Sequence, residues 1–145
     1  MKEIHTEIEI NASAEKVWQV LTDFPAYPEW NPFVRRLEGE VIVGAHLQVY
    51  VQPAGGKGVS FRPTVLVAEP NRELRWLGRL WLPGLFDGEH SFVIEPLEEH
   101  RVRFVHRERF NGLLVPLLSK MLDGETRRGF EEMNRALKMR AESGP

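Results

Sequence analysis

The sequence predicts an α+β domain in which a curved antiparallel sheet wraps a long C-terminal helix. Three observations predict it. Residues 34–110 read almost entirely as strands separated by turn chemistry, and past Gly112 the apolar residues switch to three- and four-residue steps. The chain has 145 residues, of which 42% are hydrophobic, enough to close one core. A single domain is expected over 1–141, with a disordered tail at 142–145.

Ile4, Thr6, Ile8 and Ile10 alternate with Glu3, His5, Glu7 and Glu9, the period-two pattern of a half-buried strand. Asn11 to Ser13 then supply capping residues for a short helix whose Val17, Trp18, Val20 and Leu21 share one side. Asp23 and Pro25 end it. Phe24, Tyr27, Trp30 and Phe33 follow three apart, the spacing of a tight helical turn, and form an aromatic wall. Six strands are expected next: Val34 to Val43, Ala45 to Gln52, Val59 to Glu69, Arg72 to Leu82, Phe86 to Leu97 and Arg101 to Phe110. The breaks at Pro53–Gly58, Pro70–Asn71 and Pro83–Gly84 favour reversals, so neighbouring strands pair antiparallel. Leu114, Leu118, Met121, Leu122, Phe130, Met133 and Leu137 lie on the buried stripe of the last helix.

Composition excludes several functions. No cysteine is present, which removes disulfides, thiolate metal sites and cysteine nucleophiles. Nineteen Lys+Arg against 21 Asp+Glu leave a net charge of -2, so no nucleic-acid partner is expected. No apolar run reaches the ~20 residues of a membrane-spanning helix. Met1 to Asn11 alternates charged and apolar residues and does not read as a signal peptide, so a cytoplasmic protein is expected. The outward arginines at 101, 103, 107 and 109 read as a solvated face, and Gly55-Gly56-Lys57-Gly58 as a flexible hairpin tip rather than a phosphate loop.

The strand pattern places polar residues inside. In Arg101–Phe110 the odd positions are mostly basic, so Val102, Phe104, His106, Glu108 and Phe110 turn inward. The same parity sends His90 and Phe92 inward from one neighbour, and Leu74, Trp76, Gly78 and Leu80 from the next. A three-residue loop Glu98-Glu99-His100, with His100 left-handed, makes opposed positions add to 198. Glu89 then faces Arg109, Glu95 faces Arg103, and His90 faces Glu108. A turn centred near Gly84 sets Gly78 opposite His90 and Trp76 opposite Phe92, leaving a hollow beside the imidazole. The candidate ligand-binding residues are Trp76, Gly78, Leu80, His90, Phe92, His106, Glu108 and Phe110, with Trp30 and Gly129 added from the aromatic wall and the last helix. His90, His106 and Glu108 are the candidates for acid–base chemistry; as two histidines and a carboxylate they also form a facial-triad set, ranked low, and no metal or cofactor is expected.

Ile8-x-Ile10-x-Ala12-Ser13-x-Glu15-x-Val17-Trp18, Phe24-x-x-Tyr27-Pro28-Glu29-Trp30-Asn31-Pro32-Phe33, Gly88-x-His90-x-Phe92, His106-x-Glu108-x-Phe110-x-Gly112 and Phe130-x-x-Met133-Asn134-x-Ala136-Leu137-Lys138 together resemble the START-like, birch-pollen-allergen-like helix-grip superfamily grouped with polyketide cyclases and dehydrases as SRPBCC. The resemblance covers nearly the whole chain and implies a seven-stranded antiparallel sheet gripping the last helix, with an apolar cavity between them. It implies binding of a small hydrophobic, lipid-like or aromatic ligand. A cyclase or dehydratase using a His–Glu pair is the alternative, and a protein-interaction or chaperone-assisting module the third; the third needs a large exposed apolar patch. Nothing in the sequence fixes the oligomeric state.

Overall fold

The computed structural model describes residues 1–143. β1 (Lys2–Ile10) leads through α1 (Ala14–Thr22), a tight turn at Phe24–Ala26 and α2 (Tyr27–Trp30) into the strands. These are β2 (Val34–Glu38), β3 (Gln48–Val51), β4 (Val59–Phe61), β5 (Thr64–Glu69), β6 (Glu73–Leu80), β7 (Phe86–Glu98) and β8 (Arg101–Asn111). A helical stretch closes the chain as α3 (Val115–Met121), a π-helical turn at Leu122–Thr126, and α4 (Arg127–Glu142). Of the tail expected at 142–145, residue 142 ends α4 and Ser143 follows it, while 144 and 145 lie outside the described residues.

The strands form a five-stranded sheet, in the order β1-β8-β7-β6-β5, and a separate three-stranded sheet, β2-β3-β4. This corrects the seven-stranded expectation. The expected strand from Val59 to Glu69 is broken by Pro63, which has no N–H to give a ladder, and its halves join different sheets. The expected strand from Val34 to Val43 stops at Glu38, before Gly39 with φ 132. The two sheets are stitched by the irregular segment 44–47, where Leu47 N–H donates to Pro63 O (2.8 Å) and Val65 N–H to Ala45 O (2.9 Å). The sharp change of direction at Pro63 lets one small sheet fold over the inner face of the large one.

The β7–β8 ladder runs from Asp87–Asn111 to Pro96–Val102 with positions adding to 198, so His90 faces Glu108 as parity predicts. The loop that sets it differs from expectation. His100 does not take a positive φ; a bulge between Pro96 and Glu98 absorbs the odd residue and Glu98 pairs with Arg101. In β6–β7 the pairing corrects the expectation by one inward step: Trp76 faces His90, Leu74 faces Phe92, and Gly78 faces Gly88. Pro83 and Gly84 (φ 88) are the central residues of a turn closed by Leu85 N–H to Leu82 O (3.1 Å), and Trp81, at φ 65, is an extra residue outside the ladder.

The core lies between the inner face of the large sheet and α4, whose Phe130, Met133 and Leu137 are fully buried beside Ile4, Phe92 and Phe104. α1 begins at Ser13, whose side chain accepts from Lys16 N–H (3.1 Å), and buries Val17 and Leu21. The aromatic wall packs edge to face, Phe24 on Tyr27 and Tyr27 on Trp30 with centroids 5.7 and 5.1 Å apart. Asn31 Oδ1 accepts from the N–H groups of Phe33 and Val34 (3.0 and 2.9 Å), which turns the chain into β2 and aims Phe33 at Phe130.

Gly129 owes its place to that contact. A Cβ there would lie 2.3 Å from Phe33 Cδ1, and Phe33 is buried. Gly129→Ala gains about 1 kcal/mol of helix propensity but overpacks a ring at a cost of about 1–3 kcal/mol. A net loss of stability is expected, read from the urea midpoint; a raised midpoint would show that Phe33 is free to move aside.

Candidate functional site

Between the large sheet, the β3–β4 hairpin and the π-helical turn lies a cavity of about 540 Å³. Its walls are mostly apolar: Phe33, Val51 and Phe61 on the small-sheet side, Leu80, Phe86 and Phe110 on the large sheet, and Met121 and Leu122 on the helix. Pro53 to Lys57 and Glu125 stand at its rim, where a Cβ on Gly56 would lie 3.0 Å from Glu125 Oε2. His90 and Glu108 form its polar end.

Room for Glu108 comes from a missing side chain. A Cβ on Gly88 would lie 2.2 Å from Glu108 Oε2, so any other residue there would expel the carboxylate. Gly78, opposite Gly88, leaves space on which the Phe61 ring closes, 3.1 Å from where a Cβ would sit. Glu108 therefore lies over Gly88, and Phe61 over its neighbour Gly78. Its Oε1 is 3.2 Å from His90 Nδ1, while Oε2 takes no hydrogen bond from the described residues.

Behind His90 a single line of hydrogen bonds runs into the core. His90 Nε2 and His106 Nε2 are 2.7 Å apart, and His106 Nδ1 lies 2.8 Å from Asn134 Oδ1. Asn134 Nδ2 donates to Thr6 Oγ1 (2.9 Å), and Thr6 Oγ1 donates to the backbone carbonyl of His106 (2.8 Å). Three strands and the last helix each contribute, and all four of these residues are buried.

The line has one possible polarity. A threonine hydroxyl has one proton, and Thr6 gives it to the His106 carbonyl, so toward Asn134 it presents only lone pairs. Asn134 must turn its NH₂ to Thr6 and its oxygen to His106. His106 then carries its proton on Nδ1, and its bare Nε2 accepts from His90 Nε2–H. Burial, first, and the neighbouring His90, second, push the His106 pKa well below its ordinary 6.5 against the opposing bond from Asn134, so His106 is neutral. The rings cannot swing away: His106 stacks on Phe130 with centroids 4.1 Å apart and planes 7° apart, and His90 is held between Phe92 (4.6 Å) and Trp76 (5.1 Å).

Of the residues expected from sequence, Gly78, Leu80, His90, Glu108 and Phe110 line this cavity. Trp76, Phe92 and His106 lie one layer behind it, clamping or bonding His90, and Gly129 acts through Phe33. Trp30 packs edge to face on Tyr27 and does not line the cavity. Thr6 and Asn134 were not singled out by the sequence, although each is a polar residue on an otherwise apolar stripe, which is the signal that marks them. Among the described residues no group of three or more His, Asp or Glu is arranged to hold a metal ion. His90, His106 and Glu108 form a line, with His90 in the middle using both ring nitrogens, rather than converging on a point.

A family model described as polyketide cyclase/dehydrase and lipid transport matches residues 1–142. The fold is similar to that of the Zhui aromatase/cyclase from a Streptomyces strain, at TM-score 0.79 and 18% identity over 97% of this chain and 93% of that one. It is similar to a START superfamily protein from Mycobacterium smegmatis, at TM-score 0.72 and 26% identity over 97% of each chain. A norcoclaurine synthase point mutant from Thalictrum flavum gives TM-score 0.73 and 17% identity over 97% of this chain and 93% of that one. No curated protein matches in sequence. No helix among the described residues is long and apolar enough to cross a membrane.

The buried neutral His106 makes stability depend on pH. Its folded pKa is depressed, so below pH 6.5 the unfolded chain binds a proton that the folded one refuses. Stability should fall as pH drops from 6.5, with a slope approaching about 1.4 kcal/mol per pH unit from this group alone. Urea unfolding across that window should show the slope, and His106→Gln should flatten it; an equal slope in both would place the proton uptake elsewhere.

Proposed function

The chain belongs to the polyketide cyclase/dehydrase and lipid transport family, and we propose that it binds a small hydrophobic, lipid-like or aromatic ligand in the cavity between sheet and C-terminal helix. One observation carries the reading: a cavity of about 540 Å³ has mostly apolar walls and, at one end, a paired His90 and Glu108 with an unengaged carboxylate oxygen. Apolar walls supply affinity by removing ligand surface from water, and one polar contact fixes orientation.

A cyclase or dehydratase role is the second reading, favoured by the 3.2 Å approach of His90 Nδ1 to Glu108 Oε1. In a β-hydroxy ketone, a Glu108 carboxylate would take the proton from the carbon beside the carbonyl and return it to the hydroxyl, which leaves as water as the double bond forms. No co-reactant is needed. A protein-interaction role draws on exposed Trp81, Leu82 and Leu113, on two loops joined by the Leu113 N–H to Gly84 O bond (3.0 Å), and on exposed Leu117 in the first turn of α3.

Titration with the neutral fluorophore N-phenylnaphthylamine tests the ligand reading. Binding at micromolar concentration is expected, and Leu80→Trp, which pushes an indole into the cavity, should weaken it by about tenfold or more while the protein still melts cooperatively. A wild-type protein that binds no such probe contradicts the reading and moves the other two ahead.

A further inference from the structure

Three glycines stand where the backbone does not ask for them. Gly84 and Gly112 have φ of 88 and 130, the region that glycine alone enters freely, whereas Gly78 on β6, Gly88 on β7 and Gly129 on α4 lie outside it. Any residue could adopt the conformation of these three. Glycine also weakens the interior of a strand or helix, because it loses the most freedom on folding and packs no side chain. What the three supply is space.

At each of them that space is taken by a side chain of the cavity wall. A Cβ on Gly129 would lie 2.3 Å from Phe33 Cδ1, one on Gly78 3.1 Å from Phe61 Cδ2, and one on Gly88 2.2 Å from Glu108 Oε2. Phe33, Phe61 and Glu108 all line the cavity. Gly78 and Gly88 face each other across β6 and β7, between the pairs Trp76–His90 and Leu80–Phe86, so this stretch of the sheet floor carries no side chain of its own. Strand side chains stand up from the sheet, and an added Cβ there would lift Phe61 or Glu108 off the floor and into the cavity. Phe33 rests on α4 against Phe130, with centroids 5.6 Å apart, and a Cβ on Gly129 would push it off the helix in the same way.

The recessed walls give the cavity its width. A single alkyl chain lying in it would leave some of them out of van der Waals contact and forfeit the dispersion they offer. A plate of fused rings reaches the small-sheet side and the large sheet at once, and Phe33, Phe61, Phe86 and Phe110 give it aromatic contacts on both. We propose that Gly78, Gly88 and Gly129 are specificity-determining residues: by holding three walls back they make the cavity wide enough for a fused-ring apolar ligand and too wide to grip a single alkyl chain. The inference rests on the reading of the cavity as a ligand site and narrows that reading to a ring-shaped ligand.

Calorimetry with two neutral alcohols tests the proposal, anthracenemethanol as the fused-ring probe and undecanol as the chain. The wild-type protein should bind anthracenemethanol about tenfold more tightly than undecanol. Gly78→Ala, Gly88→Ala and Gly129→Ala should each cut that preference by about threefold or more, because the wall they displace narrows the cavity. Phe61→Leu on the Gly78→Ala background, and Phe33→Leu on Gly129→Ala, return the room taken by the new methyl and should bring the preference back, which general damage to the fold would not do. Gly129→Ala is expected to lose stability, so Gly78→Ala, whose Cβ meets only the edge of a half-buried ring, decides the matter if the helix variant does not fold. A wild-type protein that prefers undecanol, or that binds N-phenylnaphthylamine but neither alcohol, overturns the inference and leaves the ligand site standing. Folded Gly78→Ala and Gly88→Ala variants with the wild-type preference do the same. A wild-type protein that binds none of the three probes overturns both.

Discussion

The proton of one buried hydroxyl orders the site. Thr6 can give that proton to only one acceptor, and giving it to the His106 carbonyl leaves Asn134, His106 and His90 one consistent way to point. The bond needs β1 and β8 paired with Thr6 across from His106, and α4 docked with Asn134 facing the sheet. Strand register and helix docking therefore reach the cavity as a fixed proton position at its polar end.

Such a line costs stability that an apolar core would not. Four polar side chains are withdrawn from water, and neutral hydrogen bonds return only part of what is lost. The compensation is packing. Phe92, Phe130 and Trp76 enclose the two imidazoles, and the fully buried Ile4, Phe104, Met133 and Leu137 continue the same core. Gly88 on β7 completes the arrangement by leaving the carboxylate a place to lie, at the cost of a residue that buries no side chain. A fold that gives up packing in that way holds Glu108 at the cavity surface instead of sealing it in.

Much of this was legible in the sequence because side chains on strands alternate. Arginines at 101, 103, 107 and 109 could only face water, which turned His106 and Glu108 inward; the register itself was read from a three-residue loop with a left-handed His100, and the structure keeps that register through a bulge between Pro96 and Glu98 instead. Parity says nothing about where a ladder ends. Pro63 split one expected strand between two sheets, and Trp81 left the ladder before the Pro83–Gly84 turn, moving Gly78 from His90 to Gly88. The cavity wall was harder still. Phe33, Val51 and Phe61 reach it from the small sheet, whose position over the large one depends on hydrogen bonds between segments 44–47 and 63–65 that no local pattern encodes. Thr6 read as one more member of an apolar alternation, and Asn134 as one polar residue on a long helix; only their meeting across 128 positions of sequence gives either a role.

The central claim is the direction of the hydrogen-bond line, and nitrogen-15 chemical shifts of the histidine rings in the unliganded protein at neutral pH report it directly. The account predicts a neutral His106 with its proton on Nδ1 and a bare Nε2, beside a His90 that donates from Nε2. A His106 protonated on Nε2, or a His90 with a bare Nε2, would contradict it.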